Sequence, residues 1–416
     1  MEEKYLQALE KVKKYGQEQL LDCYNMLDDN KKEQLLDDII SINFDFITDL
    51  YRNRNMEEDR TNAKIESIPY VEKEKLTNEE KEHYSRIGQE AIRNGEYAVI
   101  TMAGGQGTRL GHTGPKGTFI LEEPINKSIF EILTDTMLGY VNKYNVNIPW
   151  YIMTSEENNK ATVEFFENNN YFGYGKENIT FFIQGQLPML SEDGKILLNE
   201  EGRIKLAADG HGGIFKAMVD KGYLKDMKEK NIKWLFICGV DNILVKPVDE
   251  LLLGLTISQN NLAGSKSIVK GYPEEKVGVF CKKNGRPYVI EYSEMPKEMT
   301  EERLENGELK YSESHIVSNL FNINVIEEMY KNDLKFHVAH KKANYMNSNG
   351  EIVVAEKPNA YKFEAFIFDA FESVDEMTIL RVKREDEFSP IKNAEGVDSP
   401  ATAKEMYLNF HKLGKE

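Results

Sequence analysis

Between residues 103 and 117 the chain reads Ala103-Gly104-Gly105-Gln106-Gly107-Thr108-Arg109-Leu110-Gly111, then His112-Thr113, then Gly114-Pro115-Lys116-Gly117. Glycines at that density, directly after an apolar run, let backbone N–H groups close around phosphate oxygens. Arg109 and Lys116, seven positions apart, add two cations to the same loop. Two familiar phosphate loops are excluded: Leu110 stands where the dinucleotide fingerprint needs Gly or Ala, and Lys116 follows proline where a Walker A lysine follows glycine. The plainer alternative, an ordinary strand-to-helix turn with solvated charges, would use many glycines for one turn. A second candidate is Asp241, at the carboxyl end of the apolar run 234–240. Open α/β sheets bind ligands at that end of their strands, and a single carboxylate is typical of a Mg²⁺ ion shared with substrate phosphates. Asp241 could equally cap a turn together with Asn242.

The elements that must position these residues follow from hydrophobic period. Up to about residue 90, apolar positions recur at helical spacing (Leu6, Leu9, Val12, then Leu20, Leu21, Tyr24, Leu27), which predicts a helical lobe. Asn55–Thr77, charged and broken by Pro69, reads as a linker wrapping onto the next lobe. From Tyr97 onward, short apolar runs alternate with amphipathic helices, as in an α/β lobe with a largely parallel sheet. Strands are expected at Tyr97–Met102, Trp150–Met153, Ile179–Ile183 and Trp234–Val240. Ser128 opens a capping-box sequence for a helix whose buried stripe is Phe130, Leu133, Met137, Leu138 and Val141. Thr154 or Ser155 is expected to cap a helix running to about Asn168. Closely spaced strands at 277–280, 287–292 and 316–323 suggest an antiparallel extension, hence a mixed sheet. Phe181, Phe182, Phe363, Phe366 and Phe368 read as core, and the charge run Lys383–Glu387 as a solvated face. The expected organisation is a helical lobe over 1–90, a catalytic α/β domain over 91–384, and a short carboxyl-terminal segment over 385–416 with a helix from Ala401 to Leu413.

Composition bounds the function. The 416 residues carry 53 Lys plus Arg against 70 Asp plus Glu, a formal charge of -17, opposite to the footprint of a nucleic-acid-binding protein. An anionic substrate must therefore be held by a few local cations and backbone amides. Cys23, Cys238 and Cys281 have neither metal-ligand spacing nor an even count, as expected of reduced residues in a cytoplasmic protein. The charged amino terminus lacks the apolar core of a signal peptide, and no run of about 18 apolar residues suggests a membrane span.

The loop sequence GGQGTRLG followed by PKG resembles the signature of eukaryotic-type UDP-N-acetylhexosamine pyrophosphorylases and their UDP-sugar pyrophosphorylase relatives. The resemblance continues, in the family's order, through FFIQGQLPML (181–190), AADGHGG (207–213), CGVDNILVK (238–246), IEYSE (290–294) and REDEFSPIKNA (384–394). It implies a Rossmann-like nucleotide-diphospho-sugar transferase core that joins UTP to a sugar 1-phosphate with Mg²⁺ as cofactor. Gly104, Gly105, Gln184 and Gly210 would hold the uridine, with Ala103 and Asp209 beside them in the same motifs. The amide of Gln184 offers the donor and acceptor that a uracil edge needs, although alone it would read as a strand-end cap. Asp241 would hold the metal, and Lys392, otherwise an unremarkable surface charge, would bind phosphate together with Arg109 and Lys116. Glu291 and Tyr292 match positions near the hexose. His211 and His315 stand where the hexosamine enzymes carry asparagine near the sugar, although both could equally be structural. The implied reaction is UTP with N-acetylglucosamine 1-phosphate. The rivals are glucose 1-phosphate or several sugar phosphates, a non-catalytic UDP-sugar sensor, and a glycosyltransferase, for which Asp241-Asn242-Ile243 is the wrong metal motif. The chain stops soon after the REDEFSPIKNA segment, where eukaryotic relatives continue into a β lobe, so the resemblance implies no oligomeric state.

Overall fold

The computed structural model describes residues 1–54, 63–331 and 335–412. The chain divides into two compact units. One comprises Met1–Thr61, Gly185–Gly213 and Leu334–Ile367, the other Asn62–Gln184, Ile214–Asp333 and Phe368–Glu416.

In the first unit, helices Glu2–Lys14, Asp29–Ser41 and Phe44–Asn53 follow one another, the second capped by the Asp28 carboxylate accepting from Lys31 N–H. Ala8, Val12, Leu35, Leu36, Ile39 and Phe363 form its core, while Leu6, expected in the buried stripe, is 59% exposed. Leu20 is buried and Leu27 packs against the same core, but residues 18–26 make two 3₁₀ turns and not the expected α-helix. A three-stranded antiparallel sheet (Leu190–Ser191, Ala360–Glu364, His337–Lys341) and a hairpin (Gln186–Pro188 with Leu206–Ala208) complete it.

The second unit is built on a mixed sheet whose strands, in chain order, are β1 (Ile65–Ser67), β2 (Val71–Glu72), β3 (Tyr97–Met102), β4 (Trp150–Thr154), β5 (Ile179–Ile183), β6 (Trp234–Gly239), β7 (Ala263–Val269), β8 (Val279–Lys283), β9 (Arg286–Ile290), β10 (Glu313–Asn322) and β11 (Thr378–Arg381). The spatial order is β2-β11-β7-β10-β6-β3-β4-β5, with β8 branching from β10 and pairing β1 and β9. Along that order only β10 runs against the others. Residues 55–62 of the expected linker lie outside the described residues, and the part that follows supplies β1 and β2.

Why β3 to β6 form is visible in their side chains: Ala98, Val99 and Ile100 of β3 and Leu235, Phe236 and Ile237 of β6 are fully buried, as expected of strands covered on both faces. The chain moves outward from β3 to β4 to β5, then returns to place β6 on the other side of β3. That reversal is a topological switch point, and its carboxyl edge is where such sheets bind ligands. Helix Ile129–Tyr144 starts where Ser128 Oγ accepts from Glu131 N–H, as its sequence predicts. The next helix begins at Asn159, later than expected, after a turn in which Asn158 and Asn159 N–H donate to Ser155 C=O. The carboxyl-terminal helix spans Pro400–His411, capped by Ser399; Leu413, in the range expected for it, lies outside the described residues. The three cysteines are free and buried, and desolvation pushes the Cys238 thiol on β6 up to about 12. Among the described residues no helix is long and apolar enough to cross a membrane.

Candidate active site

The last register pair of β3 and β6 is Met102 with Gly239, so Ala103 and Val240 leave the sheet side by side. Ala103 N–H donates to Met153 C=O (2.7 Å) and Val240 N–H to Met102 C=O (3.0 Å). Beyond them the glycine loop folds back on itself, Gly107 N–H reaching Gly114 C=O (2.8 Å) and Lys116 N–H reaching Gly105 C=O (3.0 Å). The fully buried Asn158 holds the loop from behind, its amide nitrogen donating to Ala103 C=O (2.9 Å) and Gly105 C=O (3.3 Å). A side chain at Gly104 would meet Gln184 Oε1 at 3.0 Å, whereas Gly105 has open space where a Cβ would stand. The loop thus brings Gln184, at the end of β5, against Gly104 and leaves Gly105 facing outward. Arg109 is exposed on the 3₁₀ turn Thr108–Leu110.

Lys116 projects from the same loop toward the end of β6, its Nζ 3.9 Å from Asp241 Oδ2. Asp241 Oδ1 folds over Gly239, where a Cβ would meet it at 2.8 Å. The turn is capped by Asn242, not by Asp241. Asn242 Oδ1 accepts from Leu244 N–H (3.2 Å) and Ser389 N–H (2.8 Å), and its Nδ2 donates to Glu387 C=O (2.8 Å). Capping thereby falls to Asn242, which leaves the Asp241 carboxylate partly exposed. The segment 387–391 lies against 241–243 as a short antiparallel bridge, with Ile391 N–H donating to Asp241 C=O (2.9 Å). Lys392 therefore emerges beside Asp241, although its Nζ pairs with Asp398 at 3.5 Å.

The remaining candidates in this unit lie on β8 to β10. Residues 313–317 of β10 extend past the end of β6, so His315 stands at the same edge of the sheet. A bulge between Ser265 and Ser267 of β7 faces it, and Val317 takes φ 54, an uncommon conformation for a β-branched residue. His315 is buried, donates from Nε2 to Asn319 Oδ1 (3.0 Å), and is ringed edge-on by Phe280, Phe368 and Phe371. Its N–H bonds Gly278 C=O (2.8 Å), and Glu291 Oε1 lies 3.4 Å from where a Cβ on Gly278 would stand. Tyr292 is 49% exposed.

Asp209, Gly210 and His211 belong to the first unit. Gly210 has φ 87, and a Cβ there would strike Ala365 C=O at 2.2 Å, so only glycine fits. Ala365 N–H donates to Asp209 C=O (2.7 Å), and Ile367 N–H donates to His211 Nδ1 (3.0 Å). With Nδ1 accepting, a neutral His211 carries its proton on Nε2 and presents it as a donor.

One sequence expectation is overturned here. Glu387, expected on a solvated face, is 1% exposed and makes ion pairs with Lys266 (2.5 Å) and Lys73 (2.9 Å). Burial alone would raise its carboxyl, but the Lys266 ammonium holds it below the usual carboxylate range. Nothing local in REDEF separates this residue from its exposed neighbours, since its partners are distant in sequence. Sequence reasoning likewise misses Asn158 in the role it plays, and it pairs Asn242 with Asp241 in a turn that Asn242 alone caps.

The chain resembles proteins already characterised. A UDP-N-acetylglucosamine pyrophosphorylase of Saccharomyces cerevisiae is 37% identical over 84% of this chain and 76% of its own length. UDP-N-acetylglucosamine diphosphorylase 2 of Arabidopsis thaliana is 34% identical over 97% and 84%, respectively. The crystal structure of the Trypanosoma brucei uridine diphosphate N-acetylglucosamine pyrophosphorylase, solved with an inhibitor, superposes with a TM-score of 0.83 at 26% identity, over 96% of this chain and 84% of that one. A family model described as UTP–glucose-1-phosphate uridylyltransferase matches residues 44–399, and the chain belongs to that family of nucleotidyltransferases.

Proposed function

We propose that the protein joins UTP to N-acetylglucosamine 1-phosphate, forming UDP-N-acetylglucosamine and pyrophosphate. The observation that carries this reading is the meeting, at the switch point of β3 and β6, of an open glycine loop with Lys116, the Asp241 carboxylate and the docked Lys392 segment. A phosphate oxygen of the sugar phosphate attacks the α-phosphorus of UTP, and the bond to the departing pyrophosphate breaks in line, its electron pair leaving with that group. The step needs no proton transfer and no covalent intermediate. It needs neutralised charge, supplied by Arg109, Lys116 and Lys392, and the backbone amides of the loop orient the phosphates.

Among the described residues no cluster of three or more metal-ligating side chains exists. One accessible carboxylate, Asp241, fits Mg²⁺, which keeps waters and shares its coordination with substrate phosphates. When bound there, Mg²⁺ supplies further neutralisation of phosphate charge. Gln184, against Gly104, reads the uracil edge through its amide, with Ala103, Gly105, Asp209 and Gly210 assigned to the nucleotide by resemblance. Glu291 and Tyr292 are assigned to the sugar hydroxyls, with His211 and His315 assigned near the sugar by resemblance. Three buried free cysteines accord with a cytoplasmic location.

The test is pyrophosphate release from UTP with a panel of hexose and N-acetylhexosamine 1-phosphates, with and without Mg²⁺. The highest kcat/KM is expected for N-acetylglucosamine 1-phosphate. A higher value for glucose 1-phosphate would replace the sugar assignment, release without divalent cation would remove the metal from it, and no release with any sugar would overturn the enzyme.

A further inference from the structure

Beneath the site lies a cluster of charges that the reaction does not touch. Lys266, on β7, is 1% exposed, yet its ammonium makes three contacts: Glu387 Oε2 at 2.5 Å, Asp249 Oδ2 at 2.7 Å and Lys246 C=O at 3.3 Å. Each partner belongs to a different part of the site's support. Asp249 caps helix Glu250–Ser258 by accepting from Leu251 and Leu252 N–H. Lys246 ends the segment that begins at Asp241. Glu387 opens the segment that ends at Lys392, and its other oxygen takes Lys73 at 2.9 Å and Lys246 at 3.5 Å.

Such a cluster is a poor device for stability alone. Buried ion pairs lose much of their attraction to desolvation, and well-packed apolar replacements are often neutral or stabilising. What a buried charge does supply is a fixed position, because displacement leaves an unpaired ion in the interior. From Glu387 the constraint runs on through Asn242 to Ser389, and through Ile391 to Asp241. Lys392 is the next residue, and no side chain of the cluster needs to reach it.

We propose that Lys266 and Glu387 are positioning residues that fix the Lys392 segment and the Asp241 segment against each other, so that the ion pair sets turnover through Lys392. The inference rests on the assignment of Lys392 to the reacting phosphates. The experiment is a double-mutant cycle: kcat and KM for both substrates in Glu387→Gln, Lys392→Ala and the double variant, with Lys266→Arg, Lys266→Met and the milder Lys73→Met beside them. Glu387→Gln should lower kcat on the order of tenfold while KM for UTP changes by less than about threefold, the pattern of a group acting on the transition state. In the Lys392→Ala background the same substitution should change kcat by less than about twofold, because the lysine it positions is gone. Lys266→Arg, which keeps the charge, should retain more of the rate than Lys266→Met. If Glu387→Gln does not fold, the same cycle run with Lys73→Met, which removes one outer partner of Glu387, decides the question. Equal losses in both backgrounds, or an unchanged kcat in Glu387→Gln or Lys73→Met, overturn the positioning role. An unchanged kcat in Lys392→Ala alone instead overturns the assignment of that lysine, and the inference with it.

Discussion

Replacing Lys116 by alanine tests the chemistry where the geometry is tightest. Its ammonium is 3.9 Å from Asp241 Oδ2. At that separation and an effective dielectric constant of about 20, Coulomb's law gives about 4 kcal/mol of gross attraction for opposite unit charges. A phosphate oxygen at the same distance would experience a similar field. Part of that attraction is already present when substrates bind, and part is offset by desolvation, so a net loss of about 2 to 4 kcal/mol of transition-state stabilisation is expected. That corresponds to a fall of roughly 30- to 900-fold in kcat/KM. The fold should survive, because a loop cation near the surface contributes little packing. The assay is pyrophosphate release in the forward direction and pyrophosphorolysis of the UDP-sugar in reverse. Both directions cross one transition state and must lose equal stabilisation, each referenced to its own free substrates. Near-normal rates in both directions, with circular dichroism unchanged, would refute the placement of Lys116 at the reacting phosphates.

Arg109→Ala, on the exposed turn of the same loop, should cost about 2 to 4 kcal/mol in kcat/KM without destabilising the protein, read by the same two assays beside a thermal melt. Asp398→Asn frees Lys392 from its 3.5 Å pair and should lower KM for a phosphate substrate by up to about fivefold, the scale of an exposed ion pair; a raised KM would mean that Asp398 aims the lysine and does not compete for it. His315→Asn removes a ring from among Phe280, Phe368 and Phe371. It should lower Tm and shift the kcat/KM ratio toward N-acetylhexosamine 1-phosphates by about 1 to 2 kcal/mol, an identical ratio removing His315 from the sugar side. Glu387 and Asp249 have carboxyls held below their ordinary values of 4.5 and 3.8. The stability they contribute is therefore fully present above about pH 5 and is lost as pH falls through their folded-state values. Thermal melts against pH should show that Glu387→Gln flattens this acid limb, and an unaltered limb would place the acid sensitivity elsewhere.

The loop and the parallel half of the sheet were legible because their signals are local. Tyr97–Met102 and Ile179–Ile183 announce themselves by apolar runs that a single threonine interrupts in each, and the glycines between 104 and 117 by their density. What escaped the sequence is pairing across distance. Glu387 looks like any member of a charged run until Lys266, 121 positions away, is placed against it. Asn158 stands at the start of its helix without capping it by side chain, its Oδ1 accepting from Ser155 N–H and its Nδ2 holding the loop 55 residues earlier. The partition between Asp241 and Asn242 depends on a segment almost 150 residues downstream. Leu6 fits a helical stripe by period and is exposed all the same, since period gives a face without saying what covers it.

The place of β11 in the sheet has a consequence for the protein's birth. It is the last strand in the chain, yet it lies between β2 and β7, hydrogen-bonded in parallel to both. On the ribosome, β7 emerges more than a hundred residues before β11, an interval of roughly 5 to 20 seconds at ordinary elongation rates. Until then the edge of β7 that β11 will fill stands open, the condition in which strands pair with the wrong neighbour. Over the same interval Lys266 lacks Glu387, and the segment that carries Lys392 does not yet exist. A prematurely terminated chain is therefore left with an unfilled sheet and an uncompensated interior charge. It is exposed to chaperones and proteases by its own instability, and does not persist as a folded but idle copy of the enzyme.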